Sequence, residues 1–204
     1  MPQDFIRAHG EEQKTVRVDQ IVAAALTLYD QVGYDKITFS KLAQGLGFSR
    51  INLYNYFKTK EDLFLEIVRR SYQELLDDAS EHLPHEPCST SQYTTAWTQI
   101  IARHPRALEL FVLMNMQILR SVDPSTQQEF QGYLDGMVGQ IAGRVSSCLP
   151  LQEKDAWNLV AHQLNYAMGL YPIMQRIHGQ QASDAFEQRY LDFLVTLLAG
   201  MGLA

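Results

Sequence analysis

Apolar side chains recur every three to four positions through most of this sequence, and nowhere do they alternate with polar ones over a sustained run. No Asn-Gly or Asp-Gly hairpin signal lies between β-branched stretches, so the chain is expected to be all-α. Ile21, Ala24, Ala25, Leu28 and Tyr29 trace one face of a first helix, and Gly33 follows where a left-handed C-terminal cap belongs. Thr38 can cap a second helix that reaches Gly45 or Leu46. Gly47 allows a sharp turn, and Ser49 can cap a third helix running to Phe57. Thr59 and Asp62 form an approximate capping box, with Asp in place of Glu, that opens a long fourth helix towards His82.

The stretch HLPHEPCSTS, residues 82–91, breaks the periodicity and is expected to be the first substantial loop. Beyond it the pattern predicts helices over about 92–103, 105–121, 124–149 and 152–177. Pro105 and Pro124 suit first helical turns, Asp123 is a natural N-cap, and Asp184 with Glu187 reads as a capping box for a last helix near 184–199. About nine helices result. No repeat or flexible linker interrupts them, so two regions, 1–63 and 64–204, are expected to share the long fourth helix.

Charge is distributed unevenly. The chain of 204 residues carries −6 overall, which by itself disfavours a polyanionic partner. Yet residues 36–60 hold Lys36, Lys41, Arg50, Lys58 and Lys60 and no Asp or Glu, a local +5. Eight basic and eight acidic groups balance in residues 1–63, leaving nine basic against fifteen acidic in 64–204. Cys88 and Cys148, 60 positions apart, read as reduced thiols, and the longest apolar runs, such as 21–26, are far too short to span a bilayer. The opening MPQDFIRAHG carries Asp4 and no uninterrupted apolar stretch, so a cytoplasmic protein without membrane contact is expected.

The string ITFSKLAQGLGFSRINLYNYFKTKEDLF, residues 37–64, resembles the DNA-binding domain of the TetR family, the tetracycline-repressor-like bacterial regulators. Its matching features are Gly33-Tyr34, Thr38, Leu42-Ala43, Gly47-Phe48-Ser49, Leu53-Tyr54, Tyr56-Phe57, Lys60-Glu61 and Leu63, and at motif level they cover about a quarter of the chain. The resemblance implies a three-helix N-terminal helix-turn-helix joined through a long helix to a C-terminal bundle for ligand binding and dimerisation. It implies no enzyme activity and no cofactor. The expected function is that of a regulator, most simply a repressor, which binds a near-palindromic double-stranded DNA operator as a homodimer and is released by a small-molecule effector.

Physical chemistry divides the third helix in the same way, since a helix that enters the major groove must present short polar or cationic groups near its start and anchor itself by apolar ones. Phe48, Leu53 and Phe57 can pack inward, leaving Ser49, Arg50, Asn52, Tyr54 and Asn55 outward, with Thr38 and Lys60 at flanking helix starts suited to phosphate. In the family, positions matching Tyr54, Asn55 and Lys60 commonly touch the DNA backbone. Ile51 departs from the small residue usual there, so its bulk can meet a thymine methyl or shift the helix in the groove.

Aromatic and sulfur-bearing side chains are frequent after residue 85, and most of them are expected to be core. Polar residues inside apolar stretches, Asn115, His162 and Asn165, mark a candidate effector pocket together with Phe111, Met114, Ile118, Tyr133, Met137, Trp157 and Tyr166. An apolar or aromatic effector with some hydrogen-bonding capacity fits this set. Leu159, Gln163, Phe193, Leu194 and Leu197 offer apolar stripes for a two-fold interface of the kind the resemblance implies, or for intramolecular core. A competing reading takes His82, His85 and Cys88 as a zinc-tolerant spacing, and another takes the chain as a helical sensor without specific DNA binding.

Overall fold

The computed structural model describes residues 2–203, and side chains within 13–179 and 181–203. Nine α-helices and no strand occur among the described residues: α1 Pro2–Val32, α2 Phe39–Leu46, α3 Arg50–Tyr54, α4 Lys60–His82, α5 Thr90–Ala102, α6 Pro105–Leu113, α7 Pro124–Cys148, α8 Glu153–His178 and α9 Ala182–Gly200. None is long and apolar enough to cross a membrane. The chain divides into two compact units, Met1–Ile67 and Val68–Ala204, with the division inside α4.

In the first unit the expected apolar stripe of α1 turns Ile21 and Ala25 inward, against a core completed by Ile37, Phe39, Leu42, Leu53, Leu63 and Phe64. Tyr34, in a one-turn 3-10 helix after Gly33, sets its ring edge-on to Phe64 at 4.8 Å and donates its hydroxyl to Glu61 Oε1 at 3.0 Å. Thr59 and Asp62 exchange the two hydrogen bonds of the expected capping box, Asp62 N to Thr59 Oγ1 and Thr59 N to Asp62 Oδ2, both 3.0 Å.

The second unit has a polar thread through its core. Trp97 Nε1 donates to Tyr190 Oη at 2.7 Å, Tyr190 Oη donates to the Gln163 carbonyl at 3.1 Å, and Tyr93 Oη donates to Gln163 Oε1 at 2.8 Å. All four residues are fully buried, which ties α5, α8 and α9 together. Gln163, Leu159 and Leu194, expected at a dimer face, are therefore buried within the second unit, while Phe193 and Leu197 are half-buried.

Local boundaries differ from expectation where competing caps exist. Helix α3, expected to run to Phe57, stops at Tyr54, because Tyr56 and Phe57 both bond back to the Leu53 carbonyl as the chain turns and Phe57 enters the core. The Ser89–Gln92 capping box starts α5 at Thr90, and α6 gives way after Leu113 to a five-residue π-helix, Met114–Ile118. Asp123 accepts from Thr126 N at 3.0 Å, with Pro124 in the first turn of α7, as expected. Asp184 does not cap α9, which begins at Ala182 after a 3-10 turn at Gly179–Gln181 and has no side-chain cap.

Candidate nucleic-acid interface and effector cavity

The turn between α2 and α3 is built around Gly47, whose backbone is left-handed at φ 66° and ψ 24°. It closes α2 by hydrogen bonds from Gly47 N to Gln44 O and from Phe48 N to Ala43 O, the pairing of a left-handed helix cap. Nothing lies within 4 Å of where a Cβ would sit, so alanine there would incur only the backbone penalty of about 1–2 kcal/mol. Gly47→Ala is accordingly expected to lower stability by that amount in urea unfolding, and Gly47→Asn by less.

Helix caps aim α2 and α3. Thr38 Oγ1 accepts from Lys41 N at 3.3 Å, and Ser49 Oγ accepts from Asn52 N at 3.2 Å, so both expected caps form. Leu53 anchors α3 at 1% exposure while Ile51, two positions earlier, stands 77% exposed. Ser49, Arg50, Asn52, Tyr54 and Asn55 are exposed around it. Arg50 Nη2 donates to Tyr54 Oη at 3.0 Å and its guanidinium lies 5.6 Å from that ring, which holds the cation along the helix surface. The Tyr54 ring in turn packs on Phe39, centroids 5.1 Å apart, so the arrangement is braced from α2.

Lys60 is less free than its position at the start of α4 implies. Its ammonium donates to the Tyr34 carbonyl at 3.3 Å and sits 3.8 Å from the Tyr34 ring centroid. Three N–H groups allow one of these contacts and a phosphate together. Lys41 likewise donates to the Lys36 carbonyl at 2.8 Å, while Lys58 is exposed.

In the second unit, α8 has three faces. Ala156, Leu159, Val160, Gln163, Ala167 and Met174 point to the core. Trp157, Ala161, Leu164, Asn165 and Met168 line a cavity of about 240 Å³. His162, Tyr166, Ile173 and Ile177 form an exposed stripe, where Tyr166 stacks on Phe193 of α9 at 3.7 Å. His162 and Tyr166, expected in the pocket, thus lie outside it.

Of the other expected pocket residues, Phe111, Asn115 and Met137 join Trp157 and Asn165 in the cavity wall. Met114 and Ile118 are fully buried and do not line it, and Tyr133 donates its hydroxyl to the Arg69 carbonyl at 2.9 Å instead. Tyr72, Gln131, Leu134, Asp135 and Val138 complete the wall and are not among the residues expected from sequence. Tyr72 is a buried aromatic of α4 four residues after Val68, a spacing that does place it on the inner face.

The three side chains of the alternative metal reading have other partners. His82 Nδ1 approaches Asp78 Oδ1 at 2.7 Å, His85 Nδ1 accepts from Arg144 Nη1 at 2.9 Å, and Cys88 adjoins Cys148, whose carbonyl accepts from Cys88 N at 3.0 Å. The three side chains are drawn to different partners, and the described residues contain no cluster of three metal-ligating groups. Asp78 also takes Arg103 and His104, and these donors hold its carboxyl below the usual range although burial opposes them.

A capped short helix with an exposed polar face, set by a left-handed glycine turn on two supporting helices, is a helix-turn-helix, a motif that many DNA-binding proteins use. Residues 21–67 match the model for bacterial regulatory proteins of the tetR family, and residues 69–203 match the tetracyclin repressor-like C-terminal domain. The chain belongs to the tetR family of bacterial regulatory proteins.

An uncharacterized HTH-type regulator of Bacillus subtilis is 32% identical over 75 residues, 35% of this chain and 37% of that protein. An HTH-type transcriptional repressor of Mycobacterium tuberculosis is 31% identical over 71 residues, 35% of this chain and 38% of that protein. The chain thus matches little more than a third of the length of these relatives. In fold it is similar to a Rhodococcus transcriptional regulator, TM-score 0.64 at 14% identity over 90% of this chain and 96% of the other. It is also similar to the regulator FadR of Bacillus subtilis, solved in complex with stearoyl-CoA, with TM-score 0.60 at 18% identity over 86% and 96%.

Proposed function

We propose that the protein is a homodimeric repressor that binds a near-palindromic operator and leaves it when a small apolar or aromatic effector occupies the second unit. The observation that carries this reading is the cavity of about 240 Å³ walled by Phe111, Asn115, Met137, Trp157 and Asn165, within the unit that does not hold the helix-turn-helix. Bundles favour such sites, apolar walls with a few polar groups. Structural relatives in the same fold include one solved with an organic ligand, which supports the reading.

On DNA, Arg50 and Asn52 read base edges from α3, Ile51 meets a thymine methyl, and Ser49, Tyr54, Asn55, Thr38 and Lys60 hold phosphates. The exposed apolar stripe of Tyr166, Ile173 and Ile177 on α8, with Phe193 and Leu197 of α9, pairs with its symmetry mate. α4 passes without interruption from Lys60 to His82 and carries the effector response towards the helix-turn-helix.

Two half-sites that neutralise about three or four phosphates each give a log–log salt slope of about −5 to −7. Fluorescence anisotropy on duplexes from the protein's own genomic neighbourhood tests this across salt concentrations. A specific complex with that slope is expected; a flat response, or no specific complex at any salt, would sink it.

A further inference from the structure

The wall of the cavity in the second unit has a polarity of its own. Tyr72 lines it, is fully buried, and its hydroxyl has no hydrogen-bond partner. A buried hydroxyl left unpaired is costly, and an occupant with an acceptor oxygen relieves that cost. The charged group of the wall is a carboxylate, Asp135. It takes one bond on Oδ1 from Gln131 Nε2 at 2.9 Å, which leaves it capacity for more donors.

Asn115 directs its amide N–H to the Phe111 carbonyl at 3.0 Å and so keeps its side-chain oxygen for an incoming donor. The π-helical segment that contains Asn115 is the kind of local distortion that re-aims a side chain at a site. Trp157 and Phe111 add aromatic surface. Among the described residues no Lys, Arg or His lines this cavity, so its described wall offers no cation to a phosphate or a carboxylate.

We propose that the cavity takes a compact organic cation, an ammonium group on an apolar or aromatic body. Asp135, the Asn115 oxygen and the aromatic wall hold the charge, and the Tyr72 hydroxyl donates to an ether or carbonyl oxygen of the ligand. This rests on the cavity being the effector site, and it narrows the effector to one charge class.

Three probes of nearly equal size, with phenethylamine as a control, test it by isothermal titration calorimetry on the full chain at pH 7: 4-methoxyphenethylamine, 2-(4-methoxyphenyl)ethanol and 4-methoxyphenylacetate. The amine is expected to bind saturably and about ten-fold tighter than the alcohol, with the carboxylate weakest. Asp135→Asn is expected to bring the amine down to the alcohol's affinity while the alcohol is unchanged. Tyr72→Phe is expected to weaken amine and alcohol together but spare phenethylamine, which lacks the methoxy acceptor. Absence of saturable amine binding overturns the proposal, as does a carboxylate that binds as tightly, or a charge preference that survives Asp135→Asn.

The comparison of the three probes on the unmodified chain stands even if a variant fails to fold. Release of operator DNA by the same amine is measured separately. Tight, Asp135-dependent binding without release would leave the cation site standing and defeat the effector role; release by neutral or anionic molecules alone would overturn the narrowing of the effector to a cation and leave the effector reading itself intact.

Discussion

Replacing Trp97 by alanine is expected to lower the melting temperature by roughly 6–20 °C. An alanine in place of a fully buried large aromatic costs about 3–5 kcal/mol, and each kcal/mol moves the transition of a chain this size by about 2–4 °C. Trp97 qualifies on both counts, because it is fully buried and its indole N–H supplies the donor at the head of the thread through Tyr190 and Gln163. Its removal opens a cavity and strips Tyr190 Oη of that donor at once. Trp97→Phe separates the two effects, since most of the volume returns while the N–H does not, and a loss of about 1–3 kcal/mol is expected. Circular dichroism at 222 nm follows both variants. A shift below about 2 °C for the alanine variant would mean that this thread does not hold the second unit together.

Arg50→Ala is expected to have the largest effect on DNA. A good bidentate base contact is worth about 1–3 kcal/mol of discrimination, so a dimer loses about 2–6 kcal/mol over two half-sites. The Arg50 side chain is already restrained before DNA arrives. Its bond to the Tyr54 hydroxyl and its place over that ring, itself braced on Phe39, limit the freedom that binding must remove. Titration of operator and scrambled duplexes at one salt concentration distinguishes the roles. Base readout predicts a selective loss on the operator; a phosphate clamp predicts parallel losses on both duplexes and a shallower salt slope.

How far such features can be read before folding depends on how local they are. The Thr38 and Ser49 caps, the Gly47 turn, the Thr59–Asp62 box and the Asp123–Pro124 start each involve groups within a few residues of one another, and all are present. The shortfalls are non-local. Gln163 in an apolar stretch is ambiguous between interface and core until Tyr93, 70 positions away, donates to it. Helix α8 is amphipathic on more than one side, and a period of 3.6 finds its stripes without saying which meets the core, the cavity or a partner. Leu159 consequently belongs to the core where an interface is expected, and His162 to the exposed stripe where a pocket is expected. The spacing of Tyr72 from Val68 indicates an inner face, but Tyr72 and Asp135 share one pocket only because α4 and α7 pack in the second unit, which no spacing within either helix encodes. At α9 two start signals compete, and the 3-10 turn after Gly179 begins the helix ahead of Asp184.

The reading of α3 as the element that enters the major groove can be tested at Ile51, the most exposed large apolar side chain described and one that faces away from the anchored Leu53. Substitution Ile51→p-benzoylphenylalanine followed by photo-crosslinking to the operator maps where this position lies. Crosslinks are expected to major-groove base edges at two symmetry-related places, separated by about one helical turn of DNA or a multiple of it. Crosslinks confined to one place, to the minor groove, or absent while the complex still forms would contradict this placement of α3.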